Sequence, residues 1–437
     1  MRTVAVAAAG VMLGSVLAAC SSGSDSADGK VTLTVATGWG DTPAVADAFK
    51  TVVANFEKAN PKVTVRLQTQ GSNAYNQSIN LRAGSSSPPD VFMLSTAGYG
   101  PGFYSLAKAG KLLPLDSYAK SKDWEARFGS SALVPFEVDR ATGRLGSGTL
   151  YGLPQQNTML GVYYNKALLK SVGYDSPPTT FADFEDSLAK AKAKGITPLA
   201  ATKDAYVHNQ MVLWNAYESS AEPITKWVYG EGDTFRSEAN TKALDTLTDW
   251  QDKGYLQAGS QGQDYGGAVG TFTGGKAMYF VAGPWLTGAV TGALKADAGF
   301  MQLPGTSATS PVGGGPSSPL VIAARTRHKA ESVAFLDFFN SEAQSNVLLS
   351  KGFGLTGTSL LPMRGGNALD VEIAGLLKKA SAEGGVGVTP YINWASPEVD
   401  ADISSGLQQL LGGQQSVSQY QQKVQSDWQT AKNARGK

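Results

Sequence analysis

The sequence predicts an α/β protein in which strands and helices alternate on mostly parallel sheet. Three observations carry this. The chain opens strand, helix, strand, with "VTLTVA" alternating Val31, Leu33 and Val35, and "KVTVRLQ" alternating Val63, Val65 and Leu67. Between them Val45, Phe49, Val52, Val53 and Phe56 recur at helical spacing. A further helix and the apolar run Pro89–Leu94 continue the alternation.

Each element has its own punctuation. Thr42 suits a helix cap and Pro43 a first turn, and Asn60-Pro61 stops that helix. Further helices are expected at Phe181–Lys194, Asn240–Lys253, Lys329–Asn340, Pro397–Leu411 and Ser416–Lys432. Short strands are expected at Leu150–Pro154, Gly161–Tyr164, Ala277–Val281, Gly299–Leu303 and Pro319–Ala324. The stretch Pro304–Pro319, with Gly313 to Gly315 in a row, reads as the loosest segment.

The N-terminus is a leader. Arg2 precedes an apolar run, Val4 to Leu17, too short to span a bilayer. It ends in "LAAC", which places Cys20, the only cysteine of the 437 residues, where a lipobox cysteine stands. Ser21 to Gly29 follows as a polar tether. Residues 1–19 are thus expected to be removed, and residues 20–29 to link an acylated (palmitate-bearing) cysteine to the folded body. Roughly 420 residues remain, enough for two or three domains or one bilobal body. With Cys20 spent on the anchor, neither a disulfide nor a cysteine metal site is expected. The 37 basic and 36 acidic residues balance once Arg2 is removed, which argues against nucleic acid as a partner. No metal or cofactor motif is present.

Several landmarks resemble the sugar-binding lipoproteins of ABC importers, the family that includes maltose-binding proteins. They are "YGLPQQNTMLGVYYNKALL", "PPTTFADFEDSLAKAKAKGITPLA", "FTGGKAMYFVAGPW", the run from Leu303 to Phe339, and "TGTSLLPMRGG", in the family's order. The resemblance implies a two-lobed periplasmic-binding-protein-like fold with hinge crossings and an interlobe ligand cleft. It maps lobe one to residues 30–154 plus 298–324, and lobe two to residues 155–297 plus 325–437. It implies a monomeric, lipid-anchored, extracytoplasmic receptor that performs no reaction and passes its ligand to ABC permease subunits with a cytoplasmic ATPase.

A neutral sugar offers hydroxyls and apolar C–H faces, so its site needs flat aromatics beside amides and carboxylates. Trp285 follows an apolar run behind Gly283-Pro284, and in the family this tryptophan stacks on sugar; a core tryptophan at a strand end is the alternative. Trp394 precedes a helix begun by Ser396 and Pro397, as a sugar cover or as a staple on that helix. Trp39 and Asp41 follow the first strand, where open α/β sheets bind ligands, although Asp41 equally suits a cap. Asn73, Asp90, Ser95 and Thr96 border the same edge, and a turn role competes for Asp90. Gln155, Gln156 and Asn157 stand at the crossing, where amides read hydroxyls as donor and acceptor. Many family members have an acidic residue there; this chain has none. Trp214, His208 and Asp264 are lobe-two candidates, with core burial the rival for Trp214. Gly314 and Gly315 can present backbone amides, and Arg364 can meet ligand or pair with a carboxylate. Rival readings are a glycerol-phosphate or polyamine receptor, which needs a basic or acidic cleft, and a surface-anchored glycan-active enzyme, which needs two opposed carboxylates.

The lipobox reading has a direct consequence. Cys20→Ser is expected to abolish incorporation of labelled palmitate and to move the protein from the membrane fraction to the medium. Unchanged labelling would refute it.

Overall fold

The computed structural model describes residues 29–40, 43–94, 102–142, 144–357, 364–382 and 384–435. Cys20 with its leader and most of the tether, and the candidates Asp41, Ser95 and Thr96, lie outside the described residues. So does Thr42, the expected cap.

Two α/β lobes are joined by crossing strands. In lobe one a five-stranded sheet runs in the order Val63–Thr69, Val31–Thr37, Val91–Met93, Leu320–Ile322, Gly152–Leu153. The first three strands are parallel, and Leu320–Ile322 is antiparallel to both neighbours. The helix Pro43–Ala59 turns Val45, Phe49, Val52 and Phe56 into this core. Phe49 meets Phe339 at 4.9 Å, and Phe56 meets Phe335 edge-on at 5.2 Å.

Lobe two holds a four-stranded sheet ordered Thr197–Ala200, Ala277–Ala282, Gly161–Asn165, Ala298–Met301. Gly161–Asn165 is antiparallel to both of its neighbours. It and Ala277–Ala282 are buried along their whole length. The helix Pro397–Leu411 has the expected bounds, and Val417–Arg435 follows it.

Two expected boundaries are corrected by packing. Ala298–Met301 belongs to lobe two, because Phe300 pairs with Tyr163 across the strands, with ring centroids 4.9 Å apart. The helices Lys329–Phe339 and Glu342–Ser350 belong to lobe one, because the phenylalanines of the first close on the helix Pro43–Ala59 and Leu348 of the second joins the same core. Apolar helix faces look alike in sequence, so the pattern could not say which lobe would take them.

A three-stranded sheet lies between the lobes, in the order Val388–Thr389, Val312–Ser317, Gln156–Met159. Gln156–Met159 leads from lobe one to lobe two, and Val312–Ser317 leads back. A third passage runs by Leu355 and Thr356, where Asn157 N donates to Leu355 O at 3.1 Å and Thr356 bridges to Gln156. The glycine run read as loose is therefore a strand. Gly314 faces Met159, and a Cβ on Gly314 would lie 2.1 Å from Thr158 O, at φ +151°. Glycine serves here for close approach, not for looseness.

Gly314→Ala is accordingly expected to destabilise the chain by about 2–4 kcal/mol in urea unfolding, since strand separation and backbone strain add. A change below about 0.5 kcal/mol would show that the strands can part freely.

Candidate functional site

The strand Ala277–Ala282 ends at Gly283, and the chain then makes a tight turn, Pro284–Leu286. Three contacts fix that turn. Tyr163 donates its hydroxyl to Gly283 O at 3.0 Å, and Thr287 Oγ1 donates to Pro284 O at 2.9 Å. The Trp285 ring folds back over Gly283, where a Cβ would lie 2.1 Å from Cζ3. Only glycine at position 283 allows this. Trp285 is left half-buried, its Nε1 donating to Tyr265 Oη at 2.9 Å.

Behind Trp285 stands an arc of rings. His208, on the helix Tyr206–Tyr217, has its ring centroid 5.7 Å from Trp285 and 6.4 Å from both Tyr265 and Tyr391. Tyr391 lies 5.1 Å from Trp394 at 30°. The Tyr391 hydroxyl donates to Thr158 Oγ1 at 3.2 Å, and Thr158 donates to Gly315 O at 2.9 Å. The arc is thereby tied to both crossing strands.

On lobe one Trp39 follows the strand Val31–Thr37, half-buried against that lobe's core. It meets Phe353 edge-on at 5.8 Å, and its Nε1 donates to Gln155 Oε1 at 3.4 Å. Gln155 in turn donates to Ser318 O at 2.8 Å, and Gln156 donates to Phe353 O at 3.0 Å. Both amides are thus occupied in holding crossings together. The Asn157 side chain makes no hydrogen bond among the described residues and keeps 7% of its surface.

Burial pushes the His208 imidazole down to about 4, and its Nδ1 is enclosed without a partner. Burial also raises the Tyr391 hydroxyl above its ordinary range. At neutral pH the arc is therefore uncharged: polar tips on apolar rings, with no ionised group. Behind it burial lifts the Asp400 carboxyl to about 6, partly offset by a hydrogen bond with Asn393.

Several sequence candidates have other duties. Trp214 is fully buried, its ring 6.0 Å from Trp227 and edge-on to Phe235 at 5.5 Å, so it offers a ligand no face. Asp264 caps the helix Tyr265–Thr273 by accepting from Gly267 N at 2.9 Å. Asp90 accepts from Thr34 N at 2.8 Å and from Thr326 Oγ1 at 2.5 Å, which clamps the first strand to the segment after Leu320–Ile322. Trp394 keeps only 7% of its surface and packs in lobe two's core, just before the helix capped by Ser396. Arg364 is exposed, its backbone N–H donating to Asn346 Oδ1 at 2.9 Å. Asn73 sits in the first turn of the helix Ser72–Gly84. Gly314 is consumed by the strand contact.

Sequence reasoning missed Tyr265, Tyr391, Thr158 and Phe353. Tyr391 and Tyr265 adjoin stretches that were singled out, but only the fold turns their rings toward His208.

Residues 39–346 match the family model described as bacterial extracellular solute-binding protein. The chain belongs to that family. Among relatives of this solute-binding protein, a putative binding protein of Brucella abortus is 27% identical over 187 residues, 43% of this chain; the match spans only 41% of that relative's length. The multiple sugar-binding protein of Streptococcus mutans is 24% identical over 336 residues, 74% of this chain and 75% of the relative. Among solved structures, a chitin oligosaccharide binding protein superposes with a TM-score of 0.78 at 25% identity, covering 92% of this chain and 99% of that one.

The half-buried histidine, with its Nδ1 enclosed, predicts a pH effect. The folded chain resists protonating His208 until about pH 4, whereas an unfolded histidine protonates near 6.5. Folding stability is thus lost as pH falls from 6.5 to 4. Asp400, raised in the folded state, acts in the opposite sense below about 6. The test is therefore a difference: wild type minus His208→Phe, by urea unfolding at pH 7 and pH 4.5. Wild type is expected to lose about 1–3 kcal/mol more than the variant on acidification. Equal losses would show that folding leaves the imidazole as easy to protonate as in the unfolded chain.

Proposed function

We propose that this chain is the lipid-anchored, extracytoplasmic receptor of an ABC importer, and that it clamps a neutral mono- or oligosaccharide between its lobes without chemical change. The observation that carries this reading is the half-buried Trp285 ring, rigidly backed by an uncharged aromatic arc, with a second half-buried tryptophan, Trp39, on the other lobe. A flat apolar face beside neutral hydrogen-bonding tips complements a sugar ring, which has C–H faces and hydroxyls but no charge. A phosphate ester or a polyamine would need ionised partners, which this arc lacks.

The names of similar proteins agree. Besides the streptococcal protein and the chitin oligosaccharide binding protein, they include a maltodextrin-binding protein of Bacillus subtilis and a receptor solved in complex with raffinose. In this reading Trp285 stacks on the sugar, Trp39 contributes from lobe one, and the Asn157 side-chain amide, without a partner among the described residues, reads a hydroxyl at the crossing. Delivery follows from closure: stacking and hydrogen bonds favour the shut state, against the cost of ordering the hinge. A permease that reads the shut form would then favour loaded receptor over empty.

The test is thermal unfolding and intrinsic fluorescence against mono- and oligosaccharides, with a glycerol phosphate and a polyamine as contrasts. A bound sugar must raise the melting temperature by mass action. Trp285→Ala is expected to weaken that sugar about 30-fold or more, and Asp264→Ala to leave its affinity unchanged. A response to the phosphate or the amine alone would overturn the neutral-sugar reading, and turnover of a glycan would overturn the receptor reading.

A further inference from the structure

The lobes also touch beside the crossing sheet, outside its strands. On lobe one a small antiparallel sheet joins Arg144–Leu145, Glu137–Asp139 and Thr149–Leu150. It is fastened to that lobe by Tyr151 N donating to Phe136 O at 3.0 Å and by Leu115 N donating to Leu150 O at 2.8 Å. Phe136 and Val138 lie in lobe one's core. On lobe two the helix Glu222–Val228 roots Ile224, Trp227 and Val228 in the opposite core. The turn after it carries Tyr229 and Glu231, with Glu231 N donating to Lys226 O at 2.8 Å.

The sheet's Gly146 turn and this helical turn meet. A Cβ on Gly146 would lie 3.2 Å from Tyr229 Cδ1 and 3.4 Å from Val134 Cγ1. The Tyr229 ring therefore rests against bare backbone. Gly146 also holds φ +75°, which other residues resist. Beside it Arg144 Nη2 lies 2.7 Å from Glu231 Oε1. Burial, together with the Glu137 carboxylate, raises the Tyr229 hydroxyl above its ordinary range. None of Gln156–Met159, Val312–Ser317 or Leu355–Thr356 takes part.

We propose that this contact is a latch between the lobes: the turn at Gly146 docks on Tyr229 as the cleft shuts, and Arg144 with Glu231 sets its register. The physical argument is one of placement. A two-lobed body on a hinge exchanges open and shut states, and a contact that exists only in the shut state shifts that equilibrium by its own free energy. The latch residues are not among those assigned to the ligand, so their effect reaches affinity only through the fraction of shut molecules. The charge pair is half in water, with side chains 56% and 47% exposed, so it steers more than it holds. The tyrosine against glycine is the adhesive part, and it is the part a side chain at position 146 would destroy.

The experiment needs no ligand. Small-angle X-ray scattering is measured on the secreted chain carrying Cys20→Ser, alone and with Tyr229→Ala, Arg144→Glu, or the swapped pair Arg144→Glu/Glu231→Arg. Tyr229→Ala and Arg144→Glu are expected to raise the radius of gyration, the swap to bring it back toward the parent, and high salt to blunt the effect of Arg144→Glu alone. Superimposable scattering from all four proteins overturns the latch. Arg144→Glu alters only an exposed pair, so it decides the matter even where Tyr229→Ala fails to fold. A second arm rests on the sugar-receptor reading: the dissociation rate of a sugar that binds is expected to rise roughly three- to tenfold in Arg144→Glu. An unchanged rate there overturns the latch too. If no sugar binds, the receptor reading fails and the scattering still judges the latch.

Discussion

The structure turns on the close approach of two crossing strands, Gln156–Met159 and Val312–Ser317. Gly314 lets the backbones come together, and Thr158 donates across the gap to Gly315 O. Three things depend on that contact. It sets the path of two of the three passages between the lobes. It fixes the amides of the crossing, two of which are spent on backbone carbonyls of neighbouring passages. It also receives the Tyr391 hydroxyl, so the aromatic arc of lobe two is registered against the hinge. A hinge must be thin to bend but must not slip sideways. Strand pairing supplies both properties, because ladder hydrogen bonds resist sliding while a narrow ribbon twists easily.

The arc illustrates how burial selects chemistry. A histidine set among Trp285, Tyr265 and Tyr391 stays neutral, and burial keeps the Tyr391 hydroxyl protonated. The site is hence rich in hydrogen-bonding tips and poor in charge. Charge would steer ions, whereas rings and neutral tips favour solutes with both C–H faces and hydroxyls. The same economy appears at Trp285. A strand end, a glycine with no side chain and a proline turn hold the half-buried ring in place.

Much of this was legible in the sequence, though unevenly. The alternation at Val31–Thr37 and Val63–Thr69 and the helical spacing of Val45, Phe49, Val52 and Phe56 gave correct elements, because each period reports one buried face. The helix Pro397–Leu411 was bounded correctly from Ser396, Pro397 and Leu411, since caps and stops are local chemistry. The glycine run at Gly313–Gly315 misled. Glycine marks both loose loops and tight strand approaches, and only the partner strand distinguishes them. Asp264 misled for a related reason, and Asp90 and Trp214 had been left open between two readings. A carboxylate or an indole at a strand or helix end has the same sequence appearance whether it faces a cleft, caps a turn or fills the core.

The sequence by itself determined the α/β class, the order of most strands and helices, the near balance of charge and Trp285 as a ring held at a strand exit. These are written in local periodicity, in punctuation and in composition. The tertiary structure alone decided which lobe receives Ala298–Met301 and the helices Lys329–Phe339 and Glu342–Ser350, which polar residues hold crossings and which stay unpaired, and that His208, Tyr265 and Tyr391 gather behind Trp285. Those outcomes depend on contacts between residues far apart in the chain. An apolar face specifies that it must be covered, but not by what.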